Sequence, residues 1–154
     1  MKTFKVKTLE ETKHLALSLA KLLKTGDVIA LYGNLGVGKT AFTRFLVQSL
    51  CGEKEEVPSP TFTLLQTYEA DDFPIFHFDL YRLKQPDEVL ELGIEDAFYD
   101  GVSLIEWPEK MGHYLPQKKI LKIEITCQNE VRTFTFSSKN QAWNERLEKW
   151  KEKI

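Results

Sequence analysis

The sequence predicts a three-layer α/β sandwich whose sheet is part parallel and part antiparallel. Short apolar runs typical of buried strands alternate with segments of helical periodicity. Near the C-terminus, two strand-like runs flank a short polar turn, which indicates an antiparallel hairpin. The chain has 154 residues, of which 42% are hydrophobic and 29% charged, so it is long enough to build one core. We therefore expect a single domain over residues 1–154.

The first third of the chain predicts alternating strands and helices. Residues 1–7 alternate charged and apolar side chains, which indicates a strand. Thr8 and Glu11 form a capping-box pattern, and the apolar stripe that follows carries a helix to about Lys24. Residues 27–32 then indicate a buried strand, and residues 41–50 a helix with its apolar side chains on one face.

The rest of the chain predicts shorter elements. Two prolines make residues 57–60 a rigid extended segment. The elements predicted after it are strands over residues 61–68, 73–80 and 102–105, short helices over residues 86–92 and 94–98, a hairpin of residues 119–126 and 131–136, and a helix that carries Trp143, Leu147 and Trp150.

Residues 33–40 match the phosphate-binding pattern G-x-x-x-x-G-K-[ST] between a predicted strand and a predicted helix. Glycines let such a loop curl with its backbone N–H groups pointing inward, and the helix N-terminus adds partial positive charge. Lys39 is expected to reach the outer phosphates of a nucleotide, and the Thr40 hydroxyl to hold Mg²⁺. The alternative is a glycine turn without function, which the full pattern and both flanking elements disfavour.

Two acidic residues, Asp79 and Glu106, end predicted apolar strands. Carboxylates at the C-terminal ends of strands lie where α/β sheets bind ligands. Phosphoryl transfer needs an acid that holds the metal or orients water. Either residue alone fits a helix cap or a surface carboxylate equally well, but the glycine loop favours the functional interpretation for both.

Other side chains near these acids leave their roles open. His77, Tyr81 and Arg82 surround Asp79 in the sequence. Arg82 is expected either to contact phosphate or to form a surface salt bridge. Trp107 follows Glu106 directly, and it fits stacking on a base, shielding of the site from water, or simple core packing equally well.

Several classes of protein are disfavoured by what the sequence lacks. It has no N-K-x-D segment to read guanine, which favours ATP over GTP, and no arginine cluster of the kind that forms a kinase lid. A net charge of −2 argues against nucleic acid as the main ligand. No apolar run approaches the ~20 residues of a membrane span. Cys51 and Cys127 form no C-x-x-C pair and suit a reducing compartment. We expect a cytoplasmic protein that does not bind membranes.

Four segments together resemble the motifs of one family, TsaE, also called YjeE, in order and spacing. They are GNLGVGKT at residues 33–40, SPTFTL at 59–64, HFDLYRL at 77–83 and IEWPEK at 105–110. The last two are far more specific than the glycine loop, and the resemblance extends over about residues 8–132.

The resemblance implies a P-loop ATPase that uses ATP and Mg²⁺ in the synthesis of threonylcarbamoyladenosine at position 37 of tRNA. Its expected partners are TsaB and TsaD, whose complex it resets between catalytic cycles. Because the chain carries no basic stripe, tRNA is expected to be reached only through that complex. One alternative remains, an ATP-binding regulatory module whose hydrolysis is incidental. A stand-alone kinase is disfavoured, because acceptor and lid signatures are missing.

The resemblance also implies roles for individual residues. Thr40 and Glu106 are expected at Mg²⁺, Asp79 beside the metal or the attacking water, and Lys39, Asp79 and Glu106 form the catalytic set. The residues expected at the nucleotide are Thr8, Leu9, Gly33, Asn34, Leu35, Gly36, Val37, Gly38, Lys39, Thr40, Ala41 and Arg132, with Thr8, Leu9 and Arg132 beside the base. The residues expected in a switch-like loop near the γ-phosphate are Ser59, Pro60, Thr61, Phe62 and Thr63.

Overall fold

Seven strands form one sheet in the computed structural model, which describes residues 1–151. In chain order they are β1 (Lys2–Val6), β2 (Val28–Tyr32), β3 (Leu65–Glu69), β4 (Pro74–Asp79), β5 (Val102–Glu106), β6 (Leu121–Gln128) and β7 (Val131–Ser138). Across the sheet the order is β1-β7-β6-β2-β5-β4-β3. The four central strands β6, β2, β5 and β4 run parallel, whereas β7, β1 and β3 add antiparallel edges. The predicted mixed sheet is confirmed.

Helices cover both faces of this sheet. They are α1 (Leu9–Ala20), α2 (Lys39–Cys51), α3 (Glu88–Glu91), α4 (Ile94–Asp100) and α5 (Gln141–Lys149). One core packs α1, α2 and α5 against the sheet, and a second packs α3, α4 and the 3₁₀ segment Pro108–Tyr114 against the other face. Two cores on opposite faces of one sheet make the three layers that the sequence predicts. No helix within residues 1–151 is long and apolar enough to cross a membrane.

The central strand β2 shows why the sequence forms this architecture. Ile29 and Leu31 belong to the first core, and Val28 and Ala30 belong to the second. Because successive side chains of a strand point to opposite faces, a strand covered on both sides must be apolar throughout. All four side chains are fully buried.

Local signals in the sequence are confirmed at several turns and caps. The Thr8 hydroxyl accepts a hydrogen bond from the Glu11 N–H at 3.1 Å and caps α1. Asn129 and Glu130 both have positive φ and join β6 to β7 in a two-residue turn. The predicted C-terminal helix is α5, but it ends at Lys149, so the prediction that the helix carries Trp150 is wrong.

Two predicted boundaries are wrong by four residues each. Helix α1 ends at Ala20 and does not reach Lys24, because the chain tightens into turns there and the Asp27 carboxylate accepts the Lys24 N–H at 2.7 Å. The strand predicted over residues 61–68 begins only at Leu65. Residues 61–63 form a turn in which the Thr61 hydroxyl bonds to Asp79, so this segment is held at the end of β4 and does not pair with it.

Candidate active site

The glycine loop connects the C-terminal end of β2 to the N-terminus of α2. Gly36 and Gly38 have φ values of 78° and 113°, in the left-handed region that favours glycine. A Cβ on Gly38 would also lie 3.2 Å from Arg132 Nε. These two glycines therefore let the loop curl tightly around the start of α2, as the phosphate-binding pattern requires.

Arg132, on β7, holds the outside of this loop. Its Nε–H donates to the Val37 carbonyl at 2.9 Å. Thr8 and Leu9 lie at the start of α1, where the Thr8 hydroxyl serves as the helix cap and the Leu9 side chain is exposed. Contact of these three residues with a nucleotide base stays a prediction.

A cavity of about 330 Å³ opens at the C-terminal edge of the sheet, beside the glycine loop. It is lined by Leu35, Gly36, Gly38, Lys39, Thr40, Ala41, Ser59, Thr61, Asp79, Tyr81, Glu106 and Trp107. A second cavity, of about 340 Å³, lies on the other side of the loop and is lined by Gly33, Asn34, Leu35, Gly36, Val37, Ile125, Thr126 and Cys127. The first cavity brings together predicted site residues from four separate segments of the sequence.

The two predicted acids lie side by side in the first cavity. Parallel pairing of β4 with β5 puts Asp79 opposite Glu106, so both carboxylates stand at the same edge of the sheet. Their exposed fractions are only 4% and 2%. Asp79 Oδ2 accepts from the Thr61 hydroxyl at 2.8 Å, and Oδ1 accepts from the Tyr81 N–H at 3.1 Å.

Glu106 is held by two side chains. Its Oε1 accepts from the Thr40 hydroxyl at 2.8 Å, and its Oε2 lies 2.5 Å from His77 Nε2. Within residues 1–151, neither Glu106 nor Asp79 forms a salt bridge with lysine or arginine. Neither buried carboxylate is therefore paired with a lysine or arginine, which suits a site that binds a cation.

Lys39 is almost fully buried at the start of α2. Its Nζ donates to the Gly33 carbonyl at 2.5 Å and lies 3.4 Å from the centroid of the Trp107 ring. Burial lowers the pKa of Lys39, and the charges of Glu106, Glu109 and Asp79 oppose that shift. Lys39 also lines the cavity beside the glycine loop, so its ammonium group can contact an anion bound there.

Trp107 adopts a left-handed backbone conformation, with φ 59° and ψ 49°. Such a conformation is strained for a residue with a Cβ and clusters at functional sites. It sets the indole against Lys39 and 5.0 Å from the Tyr81 ring. The ring lines the cavity, and both stacking on a base and shielding of the site from water stay predictions.

The donor set at this cavity fits magnesium bound to a phosphate ligand. The Thr40 hydroxyl and the Glu106 carboxylate are hard oxygen donors, already 2.8 Å apart. Within residues 1–151, no cluster of three or more His, Cys, Asp and Glu is placed to hold a metal by itself. Mg²⁺ typically takes one or two carboxylates together with substrate phosphates and waters, so these two side chains suffice.

Four side chains differ from the sequence expectations. Tyr81 and Trp107 line the cavity although neither was among the expected site residues. His77, grouped with Asp79 in the sequence, contacts Glu106. Arg82 lies 4.3 Å from the Phe62 ring, and Phe62 itself is 81% exposed. The only sequence signal for Trp107 and Tyr81 was their position within two residues of an acid.

The fold and the glycine loop define a P-loop protein. The chain belongs to the TsaE family: the family model described as threonylcarbamoyl adenosine biosynthesis protein TsaE matches residues 6–134.

Comparisons with individual proteins agree with this assignment. The chain is 38% identical over 141 residues to the tRNA threonylcarbamoyladenosine biosynthesis protein TsaE of Bacillus subtilis, covering 90% of this chain and 87% of that one. It is 48% identical over 122 residues to the protein of the same name from Rickettsia felis, covering 79% and 71%. The crystal structure of Bacillus subtilis YdiB matches 97% of this chain and 93% of its own, with a TM-score of 0.81 and 32% identity.

Proposed function

We propose that this chain is a Mg²⁺-dependent ATPase that supports threonylcarbamoyl transfer to adenosine 37 of tRNA by resetting the TsaB–TsaD complex between catalytic cycles. The observation that carries the proposal is the convergence of four segments on one cavity. Lys39 and Thr40 reach it from the glycine loop, Thr61 from the turn of residues 61–63, and Asp79 and Glu106 from two neighbouring strands. Phosphoryl transfer requires these components: a phosphate cradle, oxygen ligands for a metal, and an acid beside the reacting phosphate.

Phosphate binding falls to the glycine loop and Lys39 in this proposal. Backbone N–H groups of the loop and the N-terminus of α2 attract the phosphates, because their partial charges are positive. The Lys39 ammonium adds a full charge after exchanging its bond to the Gly33 carbonyl for one to phosphate oxygen.

Metal binding and water activation fall to the polar side chains at the sheet edge. Thr40 and Glu106 would hold Mg²⁺, which when bound neutralises charge that develops on the phosphates. Asp79 would orient the attacking water, because its carboxylate faces the cavity beside Glu106. Trp107 and Tyr81 limit the access of bulk water, which strengthens the electrostatic interactions inside.

Residues 59–63 would couple the nucleotide to a partner. The Thr61 hydroxyl already contacts Asp79, while Phe62 projects into solvent. A γ-phosphate near Thr61 would order this loop, as it does in other switch loops, and so would favour one surface for docking on the TsaB–TsaD complex. We expect tRNA to be reached through that complex, in the cytoplasm and without a membrane.

The test of this proposal is ATP turnover by the chain alone and with TsaB and TsaD. We expect slow turnover alone and faster turnover with both partners, and no turnover with the Lys39→Ala variant in either case. Nucleotide binding with no gain in turnover would favour the regulatory-module alternative. A chain that binds no nucleotide would contradict both.

Partner coupling is tested by calorimetry of the chain with TsaB–TsaD, with and without a non-hydrolysable ATP analogue. Coupling between two binding events is reciprocal, so the analogue should tighten the complex and the complex should tighten the analogue by the same factor. Equal affinities in both conditions would contradict coupling through the 59–63 loop. Absence of binding would contradict the partnership itself.

A further inference from the structure

His77 is a buried histidine whose polar contact is with a proposed metal ligand. It lies in β4, two residues before Asp79, and its side chain is fully buried. Its Nε2 lies 2.5 Å from Glu106 Oε2. Parallel pairing puts His77 opposite Leu104, two residues before Glu106 on β5, so the imidazole sits one step behind the carboxylate on the same face of the sheet.

This contact completes a chain of three side chains from three elements. His77 on β4 meets one oxygen of Glu106 on β5, and the Thr40 hydroxyl on α2 meets the other. A carboxylate with a partner on each oxygen is restricted in its last torsion as well as in its position. These two hydrogen bonds select the orientation of the Glu106 carboxylate in which Oε1 faces Thr40, the other proposed Mg²⁺ ligand.

The other ring nitrogen argues against a purely structural role. Within residues 1–151, His77 Nδ1 is buried and has no hydrogen-bond partner. Leaving a buried polar atom unpaired costs free energy, so Nδ1 contributes no hydrogen bond that stabilises the fold. Its retained polar function is the hydrogen bond to Glu106, in which Nε2–H donates because an ionised carboxylate can only accept.

We infer that His77 is a positioning residue that holds the Glu106 carboxylate in the orientation needed at the Mg²⁺ site. This inference rests on the proposed function, since it takes Thr40 and Glu106 as the metal ligands. Hydrogen bonds to a ligating carboxylate commonly set both its geometry and its affinity for the metal, and their loss costs about 10- to 100-fold in metal affinity or activity.

Three substitutions of His77 separate the hydrogen bond from the space that the ring fills. His77→Leu removes the donor and keeps an apolar side chain in a buried position. His77→Gln keeps an N–H group the same number of bonds from the backbone as Nε2. His77→Asn is the matched control, because its amide reaches only as far as Nδ1 and falls short of Glu106.

The main measurement is the Mg²⁺ dependence of binding of a fluorescent ATP analogue, with turnover recorded alongside. We expect His77→Leu and His77→Asn to weaken the apparent Mg²⁺ affinity by about 10- to 100-fold, with binding of the metal-free nucleotide changed less than about twofold. His77→Gln should recover most of the loss. In a Glu106→Gln background, His77→Leu should have no further effect, because a residue that acts through Glu106 is non-additive with it.

A second readout needs neither metal nor nucleotide. In the wild-type protein, nitrogen–proton correlation spectra of the imidazole should show a proton on Nε2 shifted by a short hydrogen bond. A proton on Nδ1 alone would overturn the inference, and this holds even if the Leu and Asn variants fail to fold.

The outcomes also separate this inference from the proposed function. If the wild-type protein binds the Mg²⁺–nucleotide and His77→Leu binds Mg²⁺ equally well, the role of His77 is wrong and the ATPase proposal stands. Equal losses in His77→Gln and His77→Asn, or additive losses with Glu106→Gln, would likewise reduce His77 to a packing residue. If the wild-type protein shows no Mg²⁺-dependent nucleotide binding, both ideas are wrong.

Discussion

Two buried carboxylates lie at opposite ends of neighbouring strands and have different kinds of partner. Asp27 precedes β2 at the N-terminal edge of the sheet, and its oxygens accept from the Arg146 guanidinium at 2.7 and 2.9 Å and from the Lys24 N–H at 2.7 Å. Glu106 ends β5 at the C-terminal edge and meets a hydroxyl and an imidazole. Both are almost fully buried, so burial does not distinguish them.

The difference lies in what compensates each charge. Arg146 also donates to the Leu22 carbonyl and stacks on Trp143 at 3.7 Å, so its ion pair with Asp27 fastens α5 to the turn before β2. Such a carboxylate is already neutralised by its own counter-charge. Glu106 has no such partner among the described residues, and its charge remains available to a metal.

The largest effect is expected at the phosphate cradle. Lys39→Ala removes a buried positive charge from the loop, and loss of a comparable preorganised donor costs about 100- to 1,000-fold in rate, or ~2.7–4 kcal/mol. We expect ATP hydrolysis to fall by this factor while the melting temperature changes little. The control is Lys122→Ala, which removes a half-exposed lysine paired with Glu124 and should leave turnover unchanged. Normal turnover by Lys39→Ala would refute the phosphate-binding role of the loop.

The Asp27 side of the comparison is tested by stability. Arg146→Met leaves the Asp27 carboxylate buried without its counter-charge. Breaking a buried pair costs about 3–5 kcal/mol, and we expect the lower end because the Arg146 side chain is 16% exposed. Chemical denaturation measures the loss of unfolding free energy, and nucleotide affinity of the folded variant should be unchanged.

A second substitution sharpens that test. Adding Asp27→Leu to Arg146→Met removes both charges, and hydrophobic replacement of a whole buried pair is often neutral. Recovery of most of the lost stability would confirm that the penalty comes from the unpaired carboxylate. A double variant no more stable than Arg146→Met would point instead to the lost packing of the arginine on Trp143 or to the Lys24 N–H left without its acceptor.

The Glu106 side of the comparison predicts the reverse pattern. Glu106→Gln keeps the shape and removes the charge, so we expect ATP hydrolysis to fall by about 100-fold with nucleotide binding retained. The unfolding free energy should be unchanged or higher, because a buried carboxylate that is not paired with a lysine or arginine is costly to desolvate. Reduced stability with normal turnover would make Glu106 a structural residue like Asp27.

Asp79→Asn extends this test to the neighbouring acid. The amide keeps one oxygen for the Thr61 hydroxyl or the Tyr81 N–H but lacks the charge. We expect lost turnover and retained nucleotide binding, as for Glu106→Gln. Turnover equal to that of the wild-type protein would contradict the role of Asp79 in orienting the attacking water.

The smallest expected effect is nucleotide choice. The chain has no N-K-x-D segment to read guanine, so we expect ATP to bind better than GTP, by about tenfold or ~1.4 kcal/mol, which is the scale of one good hydrogen bond. Parallel titrations in Mg²⁺ measure the ratio. A preference for GTP would show that the base is recognised by residues outside those expected here.

Features governed by neighbours in the chain were predictable from the sequence. The glycine loop and the Thr8 cap follow from the conformations and hydrogen bonds that their own residues permit, and the polar residues between two strand-like runs predicted the hairpin. The apolar run before the loop predicted a strand covered on both faces, because a side-chain period of two leaves no polar face. Asp79 and Glu106 were recognised by their position at strand ends, which needs no knowledge of the partner strand.

Only the tertiary structure decided which groups meet. Glu106 and Thr40 are 66 residues apart, Arg132 and Val37 are 95 apart, and Arg146 and Asp27 are 119 apart. Periodicity tells which face of the sheet a side chain occupies, but not which strand lies beside it or in what register. Packing of the two cores against one sheet sets both, and thereby makes Asp27 half of an ion pair and brings Glu106 into contact with Thr40 and His77.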